Sequence, residues 1–145
     1  RYVFLGEELG ARPADQSCYD NGKVSFVRLA QTELFKTGLA RVLQGSQRYR
    51  IALMCAEKEP LDCHRTILVA RSLVAQGASV QHILADGRLE SYESALRRLL
   101  PLVGLPTEDL FQPWEQLATE ALTRQSQRIA YIDDKLTDDI PGDQP

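Results

Sequence analysis

The sequence has no long hydrophobic run, only three cysteines and a single methionine that does not stand at the start. No stretch approaches the roughly 18 apolar residues of a membrane-spanning helix, and the first residues are too short for a secretory signal. Cys18, Cys55 and Cys63 are an odd number at irregular spacing, which disfavours a secreted disulfide framework. We therefore expect a cytoplasmic protein with reduced thiols that does not bind membranes.

Common cofactor and hydrolase motifs are also missing. The sequence has no Walker loop, no dinucleotide glycine fingerprint and no Gly-x-Ser-x-Gly elbow. Its net charge of −3 is uneven, because residues 133–145 carry −4 and residues 1–132 carry +1. A nearly neutral body gives no bulk electrostatic argument for nucleic acid. We expect one domain over residues 1–132 and a disordered or loosely docked acidic tail over residues 133–145.

Three segments have the composition of strands. Residues 2–5 are aromatic and β-branched, residues 50–55 form an unbroken apolar run, and residues 79–84 follow a helical segment at 66–74. A strand, a helix and a strand within about 35 residues are typical of a right-handed parallel crossover. The pattern predicts an α/β protein with three layers, a mostly parallel sheet flanked by helices, similar to a Rossmann fold.

Helical periodicity marks the rest of the chain. Apolar residues recur at three and four positions over residues 26–44, as one helix or as two with Thr32 capping the second, and we favour two. Further helices are predicted over residues 90–100 and 114–131.

The segment that carries most reactive side chains is residues 54–65. It leads from a predicted strand end into a helix start, the place where open parallel sheets bind ligands. Cys63, His64 and Arg65 would occupy the first helical turn, where free backbone N–H groups favour anions and thiolates. A thiol there would have a pKa of about 3.5–7.5 instead of about 8.5. Alternatively, Cys63 is a buried small side chain and its neighbours are solvated.

A metal site is an alternative for the same segment. Cys55, Cys63 and His64 could act as ligands with Cys18 as the fourth. However, Cys-x7-Cys-His is not a zinc-knuckle spacing, and adjacent Cys and His rarely bind one tetrahedral ion together. The sequence therefore predicts no metal site, and it identifies no cofactor.

One family resemblance covers most of residues 2–132. The run Ala52-Leu53-Met54-Cys55-Ala56-Glu57-Lys58-x-Pro60-x-x-Cys63-His64-Arg65, followed by a helix and Val80-x-His82-Ile83, resembles the bacterial and archaeal family called domain of unknown function 488. Smaller matches are Glu8-Leu9-Gly10, Thr32-x-x-Phe35-x-x-Gly38-Leu39 and Arg128-Ile129-Ala130-Tyr131. The resemblance implies a compact cytosolic α/β protein of bacteria, with Cys-Ala-Glu-Lys and Cys-His-Arg as its signature and no established activity.

The sequence departs from this family at its beginning. Ala11 replaces the second glycine that usually follows Glu-Leu-Gly. The usual N-terminal portion, with a Gly-His-Ser element and an Asp-Val-Arg strand, has no counterpart. We therefore treat the start as a truncation and expect an incomplete sheet.

The leading functional hypothesis is an enzyme-like pocket at residues 55–65 that binds an anionic or nucleotide ligand. The binding residues would be Cys55, Lys58 and Arg65. The candidate catalytic residues are Cys63 as nucleophile, His64 as proton carrier and Glu57 as general acid or base. Whether the protein is an enzyme is left open.

Two alternatives stand beside it. A nucleic-acid-associated module is suggested by four arginines and two aromatic residues near the C-terminal helices: Arg97, Arg98, Arg124, Arg128, Tyr92 and Trp114. The other is a structural or regulatory protein in which the Cys-His-Arg turn has no chemical role.

Overall fold

The computed structural model describes residues 1–137, about half of which are helical. The first part comprises α1 (Gly6–Leu9), a 3₁₀ turn (Gln16–Cys18), β1 (Tyr19–Asp20), β2 (Lys23–Val24), α2 (Phe26–Leu29) and α3 (Glu33–Ser46). The second comprises a 3₁₀ turn (Pro60–Asp62), a π-helix (Arg65–Ala70) that continues into α4 (Arg71–Ala75), β3 (Gln81–Ile83), β4 (Leu89–Ser91), α5 (Tyr92–Leu102) and α6 (Trp114–Ile129).

The strands form two separate antiparallel pairs, so the predicted three-layer, mostly parallel, Rossmann-like α/β sheet is wrong. β1 pairs only with β2 and β3 only with β4 within residues 1–137. The predicted strand at 79–84 does exist as β3. A tight turn at residues 84–88, with Gly87 at φ +83°, sends the chain directly back, so its partner is β4 and not residues 50–55.

The other two predicted strands are extended segments without strand partners. Residues 50–55 make no backbone-to-backbone hydrogen bond to any residue of the described chain. Phe4 is 62% exposed and Met54 is 81% exposed, where a central strand would bury both. The predictions for residues 2–5 and 50–55 are wrong because an apolar run indicates where burial is favourable, whereas a strand also needs a neighbour to pair with.

Each predicted helical segment is helical in the structure, although α5 continues through Pro101 to Leu102, beyond the predicted end at residue 100. The segment at residues 26–44 is split into α2 and α3, and the hydroxyl of Thr32 accepts a hydrogen bond from the Phe35 N–H at 3.2 Å. The helix that ends at α4 is followed by Gly77 at φ +84°, the left-handed conformation common after helix C-termini. None of the helices within residues 1–137 is long and apolar enough to cross a membrane.

The core lies between α3, the helical segment of residues 65–75, α5 and α6. Its fully buried side chains come from all four, and include Phe35, Ile67, Leu99, Leu100 and Ala121. The start of the predicted acidic tail runs beside β2, where the Asp133 N–H donates to the Gly22 carbonyl at 2.7 Å. Residues 138–145 lie outside the described residues.

Helix α6 binds the turn that precedes Cys63. The Gln125 side chain is buried, and its Nε2 donates to the Leu61 carbonyl at 2.7 Å and to Asp62 Oδ1 at 3.3 Å. Its Oε1 accepts from Arg128 Nη1 at 3.1 Å. A buried amide with partners on both ends therefore joins α6 to the Pro60–Asp62 turn.

Replacing Gln125 with leucine should destabilise the protein. Gln125→Leu leaves the Leu61 carbonyl without its buried donor, which costs about 1–3 kcal/mol in free energy of unfolding. Urea denaturation would measure this loss. Gln116→Leu, on the exposed side of the same helix, is the control and should change stability by less than about 0.5 kcal/mol. Equal stability of the two variants would contradict the role of the buried amide.

Gly38 allows α1 to lie directly on α3. A Cβ added there would come within 2.5 Å of Glu8 Cβ and 3.0 Å of Leu9 Cδ2. Gly38→Ala should therefore lower the melting temperature, although alanine is the better helix former by about 1 kcal/mol. Gly45→Ala, in the same helix, meets only the flexible end of Ile51, so its melting temperature should stay equal or rise. A stabilised Gly38→Ala variant would show that α1 does not pack as closely as this.

Candidate functional site

The two unpaired extended segments line one cleft of about 760 Å³. Residues 1–6 and 49–55 form most of its wall, and α3 contributes Val42. Cys55, His64 and Arg65 also line it, so the cleft reaches the reactive segment of residues 54–65. Its wall combines apolar and aromatic side chains with extended backbone that does not pair in a β-sheet.

The charged residues that line this cleft are all cations, namely Arg1, Arg41, Arg50 and Arg65. Arg41 forms an ion pair with Glu8, and Arg65 Nη2 donates to the Glu57 carbonyl at 3.1 Å. The Arg50 side chain has no hydrogen-bond or ion-pair partner within the described residues. Since Glu8 neutralises Arg41, the excess positive charge of the described wall comes from Arg1, Arg50 and Arg65.

Four reactive side chains meet beside this cleft: Cys55, Glu57, Cys63 and His64. Their donor atoms all lie within 4.8 Å of one another. The Cys55 Sγ donates to Glu57 Oε2 at 2.8 Å and lies 3.7 Å from His64 Nδ1. The Cys63 Sγ lies 3.4 Å from the same carboxylate oxygen and 4.0 Å from the same ring nitrogen. We call these four residues the thiol cluster.

The local fold explains why residues eight positions apart in sequence meet. The Glu59 carboxylate accepts from the Leu61 N–H at 3.1 Å, which starts the Pro60–Asp62 turn and folds the chain back. The next helix then begins at Arg65, whose N–H donates to the Cys63 Sγ at 3.3 Å. Cys63 thus lies just before the first helical turn, which is π-helical, a distortion that is frequent at functional sites.

Burial determines the electrostatics of the thiol cluster. Burial of the Cys63 side chain raises the pKa of its thiol to about 12, more than the Arg65 N–H lowers it. The expectation of a depressed pKa for Cys63 is therefore wrong in this structure, because desolvation exceeds the effect of the helix start. Burial also lowers the pKa of His64, and the hydrogen bond from Cys55 lowers the pKa of Glu57.

The predicted site residues do not all lie at the cleft. Cys55, His64 and Arg65 line it, whereas Cys63 is fully buried behind them and Lys58 is exposed elsewhere. The fourth member of the cluster is Glu57, and Cys18, the fourth ligand of the alternative metal site, is not part of it.

Sequence reasoning missed Arg41 and Arg50 as cleft residues. For Arg50, a signal was present, because it immediately precedes the apolar run that lines the cleft. Arg41 follows from no motif, since its position depends on how α1 packs on α3.

The residues that suggested nucleic-acid binding are engaged within the protein. Arg97 pairs with Glu93 at 2.8 Å and lies over the Trp114 ring at 4.3 Å from its centre. Arg98, Arg124 and Arg128 bind carboxylates, a carbonyl or an amide of the same chain. Burial of Tyr92 raises its pKa to about 12. No observation here favours the nucleic-acid alternative.

Comparison with known proteins supports the resemblance noted above. Residues 1–72 match the family model described as Domain of unknown function DUF488, a span that contains the cleft residues and the whole thiol cluster. No curated protein and no solved structure matches the chain. Residues 1–72 of this chain therefore match the DUF488 family.

Proposed function

We propose that this protein is an enzyme-like domain whose cleft binds an anionic small molecule with an apolar part, of the kind that a nucleotide represents. The observation that carries the proposal is the charge of the cleft wall. Its described lining includes four arginines and no carboxylate, and of these arginines only Arg41 forms an ion pair within the described chain, with Glu8 from outside the lining. A volume of about 760 Å³ also falls in the range of about 300–1,000 Å³ typical of small-molecule sites.

The side chains of the wall suit such a ligand. Guanidinium groups bind phosphate or carboxylate oxygens in pairs, and Arg50 has no competing partner in the described chain. Tyr2, Phe4 and Tyr49 offer aromatic surface at the same cleft, on which a planar ring can stack. Anion recognition and apolar contact are therefore available together.

The thiol cluster forms the chemical end of this proposed site. Among its members, Cys55 and His64 reach the cleft wall, so Cys55 is the better placed thiol for contact with a ligand. The roles of Cys63 as nucleophile, His64 as proton carrier and Glu57 as general acid or base stay predictions. Lys58 is not part of the cleft wall. Three free thiols suit a reducing cytoplasm.

An anion should bind more tightly than its neutral counterpart. We expect adenosine monophosphate to bind at least tenfold more tightly than adenosine in isothermal titration calorimetry, because only the nucleotide engages the arginines. Inorganic pyrophosphate tests the anionic part alone and should also bind. Both affinities should fall as salt is raised from 50 to 300 mM, with screening. If neither anion binds more tightly than adenosine, the proposed function is wrong.

Removing one cleft arginine should weaken this binding selectively. Arg50→Gln deletes a guanidinium with no structural partner in the described residues, so we expect a roughly tenfold or greater loss of affinity for adenosine monophosphate and an unchanged melting temperature. Arg48→Gln is the matched control, because Arg48 is exposed two residues away and does not line the cleft. Equal affinities of the two variants would show that the cleft does not hold the anion.

A further inference from the structure

We propose that the thiol cluster is a binding site for one zinc ion, with Cys55, Glu57, Cys63 and His64 as its four ligands. Two sulfur atoms, one ring nitrogen and one carboxylate oxygen lie within 4.8 Å of one another. A set of four donors this compact has room for one ion at its centre. The proposal goes beyond the proposed function and does not rest on it.

The distances between the donor atoms resemble the edges of a zinc tetrahedron. With Zn–S of about 2.3 Å and Zn–N or Zn–O of about 2.0–2.2 Å, neighbouring ligands in a tetrahedral site are about 3.6 Å apart. The two Sγ···Nδ1 distances are 3.7 and 4.0 Å, and the Cys63 Sγ···Glu57 Oε2 distance is 3.4 Å. The 2.8 Å between Cys55 Sγ and Glu57 Oε2 requires only a small movement of the exposed carboxylate.

The types of donor select the ion. Thiolates and imidazole are ligands for borderline and soft metals, and zinc accepts a carboxylate beside them. Magnesium and calcium prefer sites made of oxygen alone, so this set disfavours both. Four protein ligands also complete a tetrahedron, which is typical of zinc sites that support structure.

The surroundings hold the donors in place before any ion binds. Cys63 is fully buried, and its sulfur accepts the Arg65 N–H at 3.3 Å, the type of contact that orients a ligand from outside. The chain between the two thiols is fixed by the Glu59 cap and by Gln125. The Cys-x7-Cys-His spacing that disfavoured zinc does not include Glu57. The fold brings this carboxylate beside the other three donors, where it is the fourth ligand.

The first test is a zinc titration of the reduced protein in competition with a coloured chelator. We expect one equivalent of Zn²⁺ to bind, together with a higher melting temperature, because the ion binds the folded state. Co²⁺ in place of zinc should give the visible bands of tetrahedral coordination and near-ultraviolet sulfur-to-cobalt charge transfer. Failure to bind one equivalent of either ion would overturn the proposal.

Variants then identify the ligands. Cys55→Ser, Cys63→Ser and Glu57→Gln should each weaken zinc binding by at least about tenfold, and the cysteine variants should lose part of the charge-transfer band. Glu57 is exposed and Cys55 is partly exposed, so these two variants test the site even where Cys63→Ser does not fold. The controls are Glu7→Gln, an exposed acid, and Cys18→Ala, a thiol outside the cluster.

The controls separate a specific site from general binding to acids and thiols. Full-strength binding in Cys55→Ser and Glu57→Gln, or equal losses in the two controls, would overturn the proposal. Arg50→Gln should bind zinc like the unchanged protein, since Arg50 is not a ligand. If the unchanged protein binds zinc but not the anion, only the proposed function is contradicted. If it binds the anion but not zinc, only the zinc site is contradicted.

Discussion

The position of every reactive group depends on how the Pro60–Asp62 turn is fixed to the C-terminal half of the chain. Arg98 bonds Glu59 at 2.8 Å on one side and Glu90 at 2.9 Å on the other, and Gln125 bonds the Leu61 carbonyl. Contact with two carboxylates raises the pKa of Arg98, and the hydrogen bond from Arg98 lowers the pKa of Glu59 against the effect of burial. A half-buried, shared network of this kind fixes geometry better than isolated surface pairs do.

Because of this network, the reactive side chains and the residues that hold them in place come from different parts of the sequence. The cleft lining and the thiol cluster lie within residues 1–72, the span matched to the DUF488 family. Glu90, Arg98 and Gln125 lie beyond that span, on β4, α5 and α6. The C-terminal helices therefore act as a support that holds residues 59–62 in position, while residues 1–72 supply the side chains of the cleft wall and the thiol cluster.

The sequence correctly predicted features that depend on nearby residues, such as helix caps. It did not predict which strands pair, because strand pairing depends on residues far apart in the chain. Thr32 as a cap and Gly77 as a helix terminator follow from local rules, and both agree with the structure. The predicted parallel sheet required β3 to pair with residues 50–55. Instead, a five-residue turn leads from β3 directly into β4, and these two strands pair with each other. The nearness of Cys55 and Cys63 follows from the sequence only in part, because the Pro60–Asp62 turn that brings them together is held by the distant Arg98 through Glu59.

One extended segment links the two candidate sites. Arg50 stands at the start of residues 50–55, where it lines the cleft, and Cys55 stands at the end, where it belongs to the thiol cluster. Five extended residues span at most about 17 Å. A ligand of about this length is therefore sufficient to contact both Arg50 and Cys55. Since the backbone of this segment has no strand partner in the described chain, its position depends on side-chain packing and on Cys55 at its end. A metal ion at the cluster would therefore fix one end of the wall on which the anion is proposed to bind.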